Sequence, residues 1–288
     1  MTPQTRGISR NAFSGKVAGL LLLLVPLAVG LFSLAPGLDP LSQNLMHRLS
    51  PPSLEHPLGT DHLGRCLLAR IAHGTYISMG AALVIAVCSA ALGALLGMIA
   101  GYIRGIVDMG IGRLVDTTLA FPGILLALML AGLTGGGVLV LAAALIITTW
   151  PEYCRLARSV SRTLSGAPYV QAGVLTGFTT GFILRRYLLP QVIRPLLPLV
   201  SLGVGKAILA LSSLGFLGIG VTPPAPEWGA MISAGLPYLR EAPHLAMFPS
   251  VLIFMTVLGF ILLSGHFEKK DAGFQHASSA KSEHQTDI

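Results

Sequence analysis

The sequence predicts an all-α polytopic membrane protein with six transmembrane helices, and three observations carry that reading. Charged residues make up only 11% of the 288 residues, against about 25% in an ordinary soluble domain. The hydrophobic set reaches 53%, with 34 glycines besides, and the mean hydropathy is +0.74. Six apolar stretches are each long enough to approach the roughly 30 Å of hydrocarbon at about 1.5 Å per residue. A chain this poor in charge cannot cover a soluble globule with polar surface, and it is too apolar to be disordered.

Residues 1–16 form a short polar N-terminus before the first stretch, Val17–Ala35. That stretch exceeds the roughly 7–15 residues of a signal-peptide core, and Pro36 follows the faint cleavage pattern Ser33-Leu34-Ala35, so it reads as a retained anchor. With the loop after it, it forms a first unit over 17–78. The second stretch, Met79–Gly101, carries Gly93, Gly97 and Gly101 at every fourth position. This spacing makes one helix face flat enough for backbone-to-backbone packing, inside this subunit or against another. The third, Leu114–Leu133, starts beside Arg113 and Asp116, a local ion pair at i, i+3, and contains Pro122, a kink candidate. The fourth is Val138–Trp150 with a few flanking residues, the fifth Leu196–Phe216, and the sixth Ala246–Leu263. Residues 79–266 therefore read as the core domain. They include a basic hairpin at about 160–190 and a Pro-rich segment at about 218–244. Residues 267–288 read as a cytoplasmic tail, polar and without structure from Ala272 to Ile288.

The net charge of +7 is explained by orientation. With the N-terminus inside, fourteen Lys and Arg fall on inner segments (Arg6, Arg10 and Lys16; Arg104 and Arg113; six from Arg155 to Arg194; Lys269, Lys270 and Lys281). Four fall outside, at Arg48, Arg65, Arg70 and Arg240. That asymmetry places both termini in the cytoplasm, and nucleic acid is not an expected partner. Cys66, Cys88 and Cys154 show neither disulfide nor metal spacing.

No catalytic motif appears: HExxH, GxSxG and paired intramembrane carboxylates are all missing. Gly205-Lys206 imitates the end of a phosphate loop, but Val200 stands where the loop needs glycine and Ala207 where it needs Ser or Thr. No cofactor is expected, and the chain reads as a non-enzyme. His47, His56, His62, His73 and His244 all fall outside, yet none has an i, i+4 histidine partner, so no metal site is assigned. A secondary transporter would need intramembrane carboxylates or paired broken helices, and a membrane scaffold would not need the hairpin.

That hairpin is the informative segment. It breaks at Ser165-Gly166, restarts at Ala167-Pro168, and reads Gln171-Ala172-Gly173, three residues, Gly177, nine residues, then Tyr187-x-Leu189-Pro190. Physically this is a short helix, a glycine hinge, a second basic helix and a proline before the next span. The pattern resembles the cytoplasmic EAA signature of permease subunits of binding-protein-dependent ABC importers. The runs His56–Arg65, Leu214–Pro224 and Glu227–Ile232 resemble the subgroup that imports dipeptides, oligopeptides and nickel. The similarity spans Val17 to Asp271, in the family's order. Departures are Gln171 in place of Glu, Gly173 in place of the second Ala, and Cys66 where an Asp is usual.

The resemblance implies the type I ABC importer permease fold in a bacterial plasma membrane. It implies a homologous permease as partner, two cytoplasmic ATP-binding subunits that dock Gln171, Ala172, Gly173, Gly177, Leu189 and Pro190, an extracytoplasmic binding protein, and surrounding lipid. Within the subgroup, Leu49-Ser50-Pro51, the Gly59–Arg65 run and Glu227-Trp228-Gly229 are more similar to nickel permeases. The cargo expectation is therefore nickel or another transition metal, carried as an organic chelate, with dipeptide or oligopeptide import as the alternative. Lys206 sits near the middle of the fifth stretch. There it either pairs with a carbonyl or an acid of the partner permease, or lines the translocation path.

Overall fold

The computed structural model describes residues 3–34, 38–133, 136–221 and 224–286, with side chains described between 15 and 267. Ala35-Pro36 of the expected cleavage pattern, Thr222-Pro223 of the Leu214–Pro224 run, and the side chains of Arg6, Arg10, Lys269, Lys270 and Lys281 lie outside these residues.

The described residues form ten α-helices in order: α1 (Pro3–Leu31), α2 (Leu67–Ile103), α3 (Gly105–Leu119), α4 (Gly123–Leu133), α5 (Val138–Leu164), α6 (Pro168–Leu175), α7 (Thr180–Ile183), α8 (Leu189–Phe216), α9 (Trp228–Gly235) and α10 (His244–Thr286). Among the described residues the only β-type pairing is an isolated bridge, Thr60 to Cys66. Five helical segments are long and apolar enough to cross a membrane, and the pair α3 and α4, bent by 84°, makes the sixth span. The bend falls at Phe121-Pro122, where proline removes a backbone donor and clashes with a continuing helix.

Helices extend beyond several of the expected stretches, most informatively at α2 and α5. Helix α2 begins at Leu67 rather than Met79, because Arg70 and His73 mark only where the helix leaves the apolar band. Leu67 and Ile71 already belong to the core. Helix α5 runs on past Pro151 to Leu164. The polar tail, expected without structure, continues α10 as helix to Thr286. It holds no proline after Pro249 and is rich in Ala, Lys, Glu and Gln, which favour helix.

The centre of the fold is the packing of α2 on α5. A Cβ on Gly93 would lie 2.6 Å from the Trp150 carbonyl, and one on Gly101 2.5 Å from that of Arg158. Gly97 faces the Cys154 carbonyl in the same way. The stripe is thus filled by this chain's own α5. Just beyond Gly101, Asp108 of α3 accepts from Arg158 Nε at 2.5 Å and from Arg162, fastening α3 to the same helix. Arg113 and Asp116 do not form the expected pair among the described residues; Arg113 instead donates to Met109 Sδ at 3.7 Å. Helices α8 and α10 close the other side. There Ser201 Oγ donates to the Phe260 carbonyl and Ser264 Oγ to that of Pro198, each at 2.9 Å. Outward, α1 shows Leu20, Leu21, Leu24 and Leu27, a surface suited to lipid.

Gly97→Val should force α2 and α5 apart at a backbone contact. A loss of about 1–3 kcal/mol is expected from overpacking, read as a lowered melting temperature of the detergent-solubilised protein, whereas Gly80→Ala, with open space around it, should leave it unchanged.

Candidate functional site

Two built regions lie at opposite ends of α2, whose 37 residues span about 55 Å at about 1.5 Å per residue. At the Ile103 end stands the hairpin. Pro168 starts α6 at its first turn, where its missing N–H costs nothing. The helix ends in a Schellman turn: Phe178 N–H donates to the Gly173 carbonyl at 3.1 Å and Gly177 N–H to that of Val174 at 3.0 Å. Gly177 has φ +83°, a conformation in which a Cβ crowds the carbonyl. Gly173 is buried, and a Cβ there would stand 3.2 Å from the Phe178 ring and 3.5 Å from that of Tyr187. This explains why glycine takes the place of the signature's alanine.

Val170, Ile183 and Leu188 anchor the hairpin on α2 and α5, beside Met98, Tyr153 and Ala157. Between Leu184 and Leu188 the backbone winds as a π-helix, immediately before Pro190, which has no N–H to offer the Arg186 carbonyl. Leu189 N–H reaches back to the Leu184 carbonyl instead. Gln171 is exposed, and its Nε2 donates to the Ser165 carbonyl at 2.5 Å. Arg104, held at φ +60°, donates to Ser165 Oγ at 2.7 Å. The residue read as a contact for another chain therefore ties α6 to the α2–α3 turn. Facing outward are Tyr169, Val174, Leu175, Phe178 and Phe182, with Leu175 88% exposed. Ala172 and Pro190 are exposed and Leu189 half-buried.

At the Leu67 end, the run Gly59–Arg65 is a compact knot. Asp61 Oδ1 accepts from the N–H groups of Leu63 and Arg65, both at 2.9 Å, and Oδ2 from Arg65 Nε at 2.7 Å, with Arg70 Nε 3.5 Å away. Gly59 and Gly64 take positive φ to make the turn. Cys66, at the N-cap of α2, makes no capping bond, a place where Asp would contribute about 0.5–2 kcal/mol. The other motif, Glu227-Trp228-Gly229, is also built for shape. Glu227 caps α9, accepting from Gly229 and Ala230 N–H at 2.8 Å each. Burial pushes its carboxyl above the usual range, while those two N–H groups and the hydroxyls of Ser78 and Ser212 pull it back. His62 stacks on Tyr238 at 5.6 Å, and burial holds it below the ordinary histidine range. Among the described residues no three His, Cys, Asp or Glu converge where a metal could bind.

Between the two regions lies a feature the sequence reading missed. Lys206 Nζ sits 2.8 Å from Glu152 Oε2, on the face that α5 and α8 share. The acid is supplied by this chain, 54 residues earlier, and not by a partner permease. Glu152 lies among the residues flanking the fourth apolar stretch, where α5 continues through Pro151, and only the packing of α8 reveals the pair.

Residues 93–267 match the family model described as binding-protein-dependent transport system inner membrane component. Among curated proteins, the chain is 39% identical over 212 residues to the glutathione transport system permease protein GsiD of Pectobacterium atrosepticum, covering 74% of this chain and 70% of that one. It is 35% identical over 250 residues to the dipeptide transport system permease protein DppC of Alkalihalophilus pseudofirmus, covering 86% and 82%. Over 257 residues it is 34% identical to the DppC of Haemophilus influenzae, covering 86% and 87%. Two crystal forms of the MetNI methionine ABC transporter, in inward-facing conformations, share the fold. Their TM-scores are 0.53 and 0.51 at 17% and 15% identity, over 69% and 68% of this chain and 94% and 96% of theirs.

Two outcomes follow from the site geometry. Gly177→Ala should cost about 1–2 kcal/mol at the left-handed position, seen as faster amide exchange confined to residues 165–190. For Glu227, a raised folded pKa means stability that is present below the ordinary glutamate value and lost as pH rises through the folded value. The melting temperature of the wild type should therefore fall over that range relative to Glu227→Gln, and parallel profiles would remove the effect.

Proposed function

The chain belongs to the family of binding-protein-dependent transport system inner membrane components, and from that membership we propose that it imports short peptides with energy supplied by ATP hydrolysis on other chains. It is an ABC importer permease subunit of the inner membrane, with the all-α type I permease fold. The observation that carries the peptide reading is the pair of cargo names among its relatives, glutathione and dipeptide, both peptides with free charged groups. The leaning toward nickel drawn from Leu49-Ser50-Pro51, Gly59–Arg65 and Glu227–Gly229 gives way to them. Those segments form a turn and a helix cap, which serve the fold whatever the cargo.

In this reading a homologous permease completes the path, and a binding protein delivers cargo at the Leu67 end of α2. Two ATP-binding subunits engage the hairpin on the cytoplasmic side, where both termini also lie. The exposed apolar knob of Tyr169, Val174, Leu175, Phe178 and Phe182 suits insertion into a cleft on an ATPase, since it stands on a short helix braced at both ends. Gln171 and Arg104 would carry the resulting push into the α2–α3 turn, and the π-helix before Pro190 into α8.

Leu175→Glu places a charge on the knob without touching the hairpin's anchor. The protein should insert and melt as the wild type does, yet retain less than about a tenth of the co-purifying ATPase and of dipeptide uptake, as expected when a buried apolar anchor is lost. Full retention of both would remove the hairpin from the coupling.

A further inference from the structure

We propose that Glu152 and Lys206 form a site that reads the two charged ends of a passing peptide, Lys206 taking the α-carboxylate and Glu152 the α-ammonium. The inference rests on the peptide reading above and deepens it by naming the feature of the peptide that this chain recognises.

The first ground is position. Lys206 lies about 15 Å from the Phe216 end of α8, and Glu152 about 20 Å from the Val138 end of α5, at about 1.5 Å per residue. The two ends meet, since Gly137 N–H donates to the Gly220 carbonyl at 3.3 Å. Lys206 thus sits deep within an apolar span, and Glu152 lies toward the inner end of another, one turn before Arg155. The second ground is exposure. The side chains are 52% and 45% exposed, so the chain itself does not cover them. Charges at that depth do not face hydrocarbon; they face a water-filled cavity or another polypeptide. The exposed stripe of α8 agrees, running Lys206, Leu209, Ser213, Phe216, mixed in polarity where the exposed residues of α1 from Val17 to Leu31 are all apolar. The α5–α8 face therefore lines the path that a second permease closes.

The third ground is chemistry. Tyr153, next to Glu152, is buried and its hydroxyl rests directly on Gly203, one turn before Lys206. This contact fixes the two helices against each other and holds the pair in register. A pair at 2.8 Å is neutral as a whole, and it leaves further ammonium donors and carboxylate acceptors free to bind. A zwitterion can enter it by exchange, each side chain trading one opposite charge for another in charge-assisted hydrogen bonds. No charge is left unpaired in the low-dielectric path at either stage, and re-forming the pair expels the cargo onward. A bare cation gains only Glu152 and is repelled by Lys206. A peptide blocked at either end strands one member of the pair.

The test uses proteoliposomes of the complete transporter, with binding protein saturated by dialanine, N-acetyl-dialanine or dialanine amide. The wild type should move dialanine fastest. Glu152→Gln should shrink the dialanine to N-acetyl-dialanine rate ratio about tenfold, the worth of one charge-assisted bond, and leave the dialanine to amide ratio unchanged. Lys206→Met should do the reverse. The binding protein is the same throughout, so its own preference cancels between variants. The double variant E152Q/K206M leaves no lone charge to impair insertion, and it should lose both preferences together. Equal slowing of all three probes, unchanged ratios, or a double variant that keeps either preference would overturn the site while leaving peptide import standing. A wild type that moves none of the three, though its ATPase responds to the loaded binding protein, would overturn the peptide reading itself.

Discussion

The close approach of α2 and α5 at Gly93, Gly97 and Gly101 decides where every functional group of this chain can stand. With glycine at each crossing, the backbones meet at distances no side chain would allow, and the packing becomes a rigid beam. Everything informative is mounted on that beam. Asp108 grips Arg158 and Arg162 one turn beyond it, Val170 and Leu188 seat the hairpin against its end, and Glu152 projects from its α5 member. Interfaces between apolar helices gain little from the hydrophobic effect in lipid, so dispersion at close range and buried polar contacts must supply their specificity. The Ser89–Thr149 hydroxyl pair at 2.7 Å adds one such contact along the same seam.

Much of this was legible in the sequence because the signals are local. Hydropathy gave the spans, Pro122 the break between α3 and α4, and the Gly177 spacing the turn after α6. What escaped depends on contacts between distant residues. Glu152 falls among the residues flanking the fourth span, and nothing local tied it to Lys206. Asp108 carried no motif, since its partners lie 50 and 54 residues away. Arg113 and Asp116 looked paired by spacing alone, and helix neighbours at i, i+3 hold each other only weakly in water. Gln171 is at the surface, as the family pattern implies, while the Ser165 carbonyl that it also meets becomes visible only once the hairpin folds back.

The motifs that identify the subgroup illustrate a further point about cargo. The carboxylates of Gly59–Arg65 and Glu227–Gly229 are satisfied within the chain: Asp61 by Leu63 and Arg65 N–H and the Arg65 and Arg70 side chains, Glu227 by Gly229 and Ala230 N–H with Ser78 and Ser212. Such residues preserve a shape, and a shape common to importers of different cargoes cannot report which cargo is carried. The charges that remain uncovered in the middle of the spans are better placed to do so.

The central claim, import of peptides driven by ATP bound to other chains, is tested most directly by dipeptide accumulation in sealed proteoliposomes holding this chain, its partner permease and their ATPases, with loaded binding protein on the outside and nucleotide within. The account predicts accumulation above the external concentration with ATP, and none with a non-hydrolysable analogue. Accumulation driven by a proton or sodium gradient in the absence of the ATPases would contradict it.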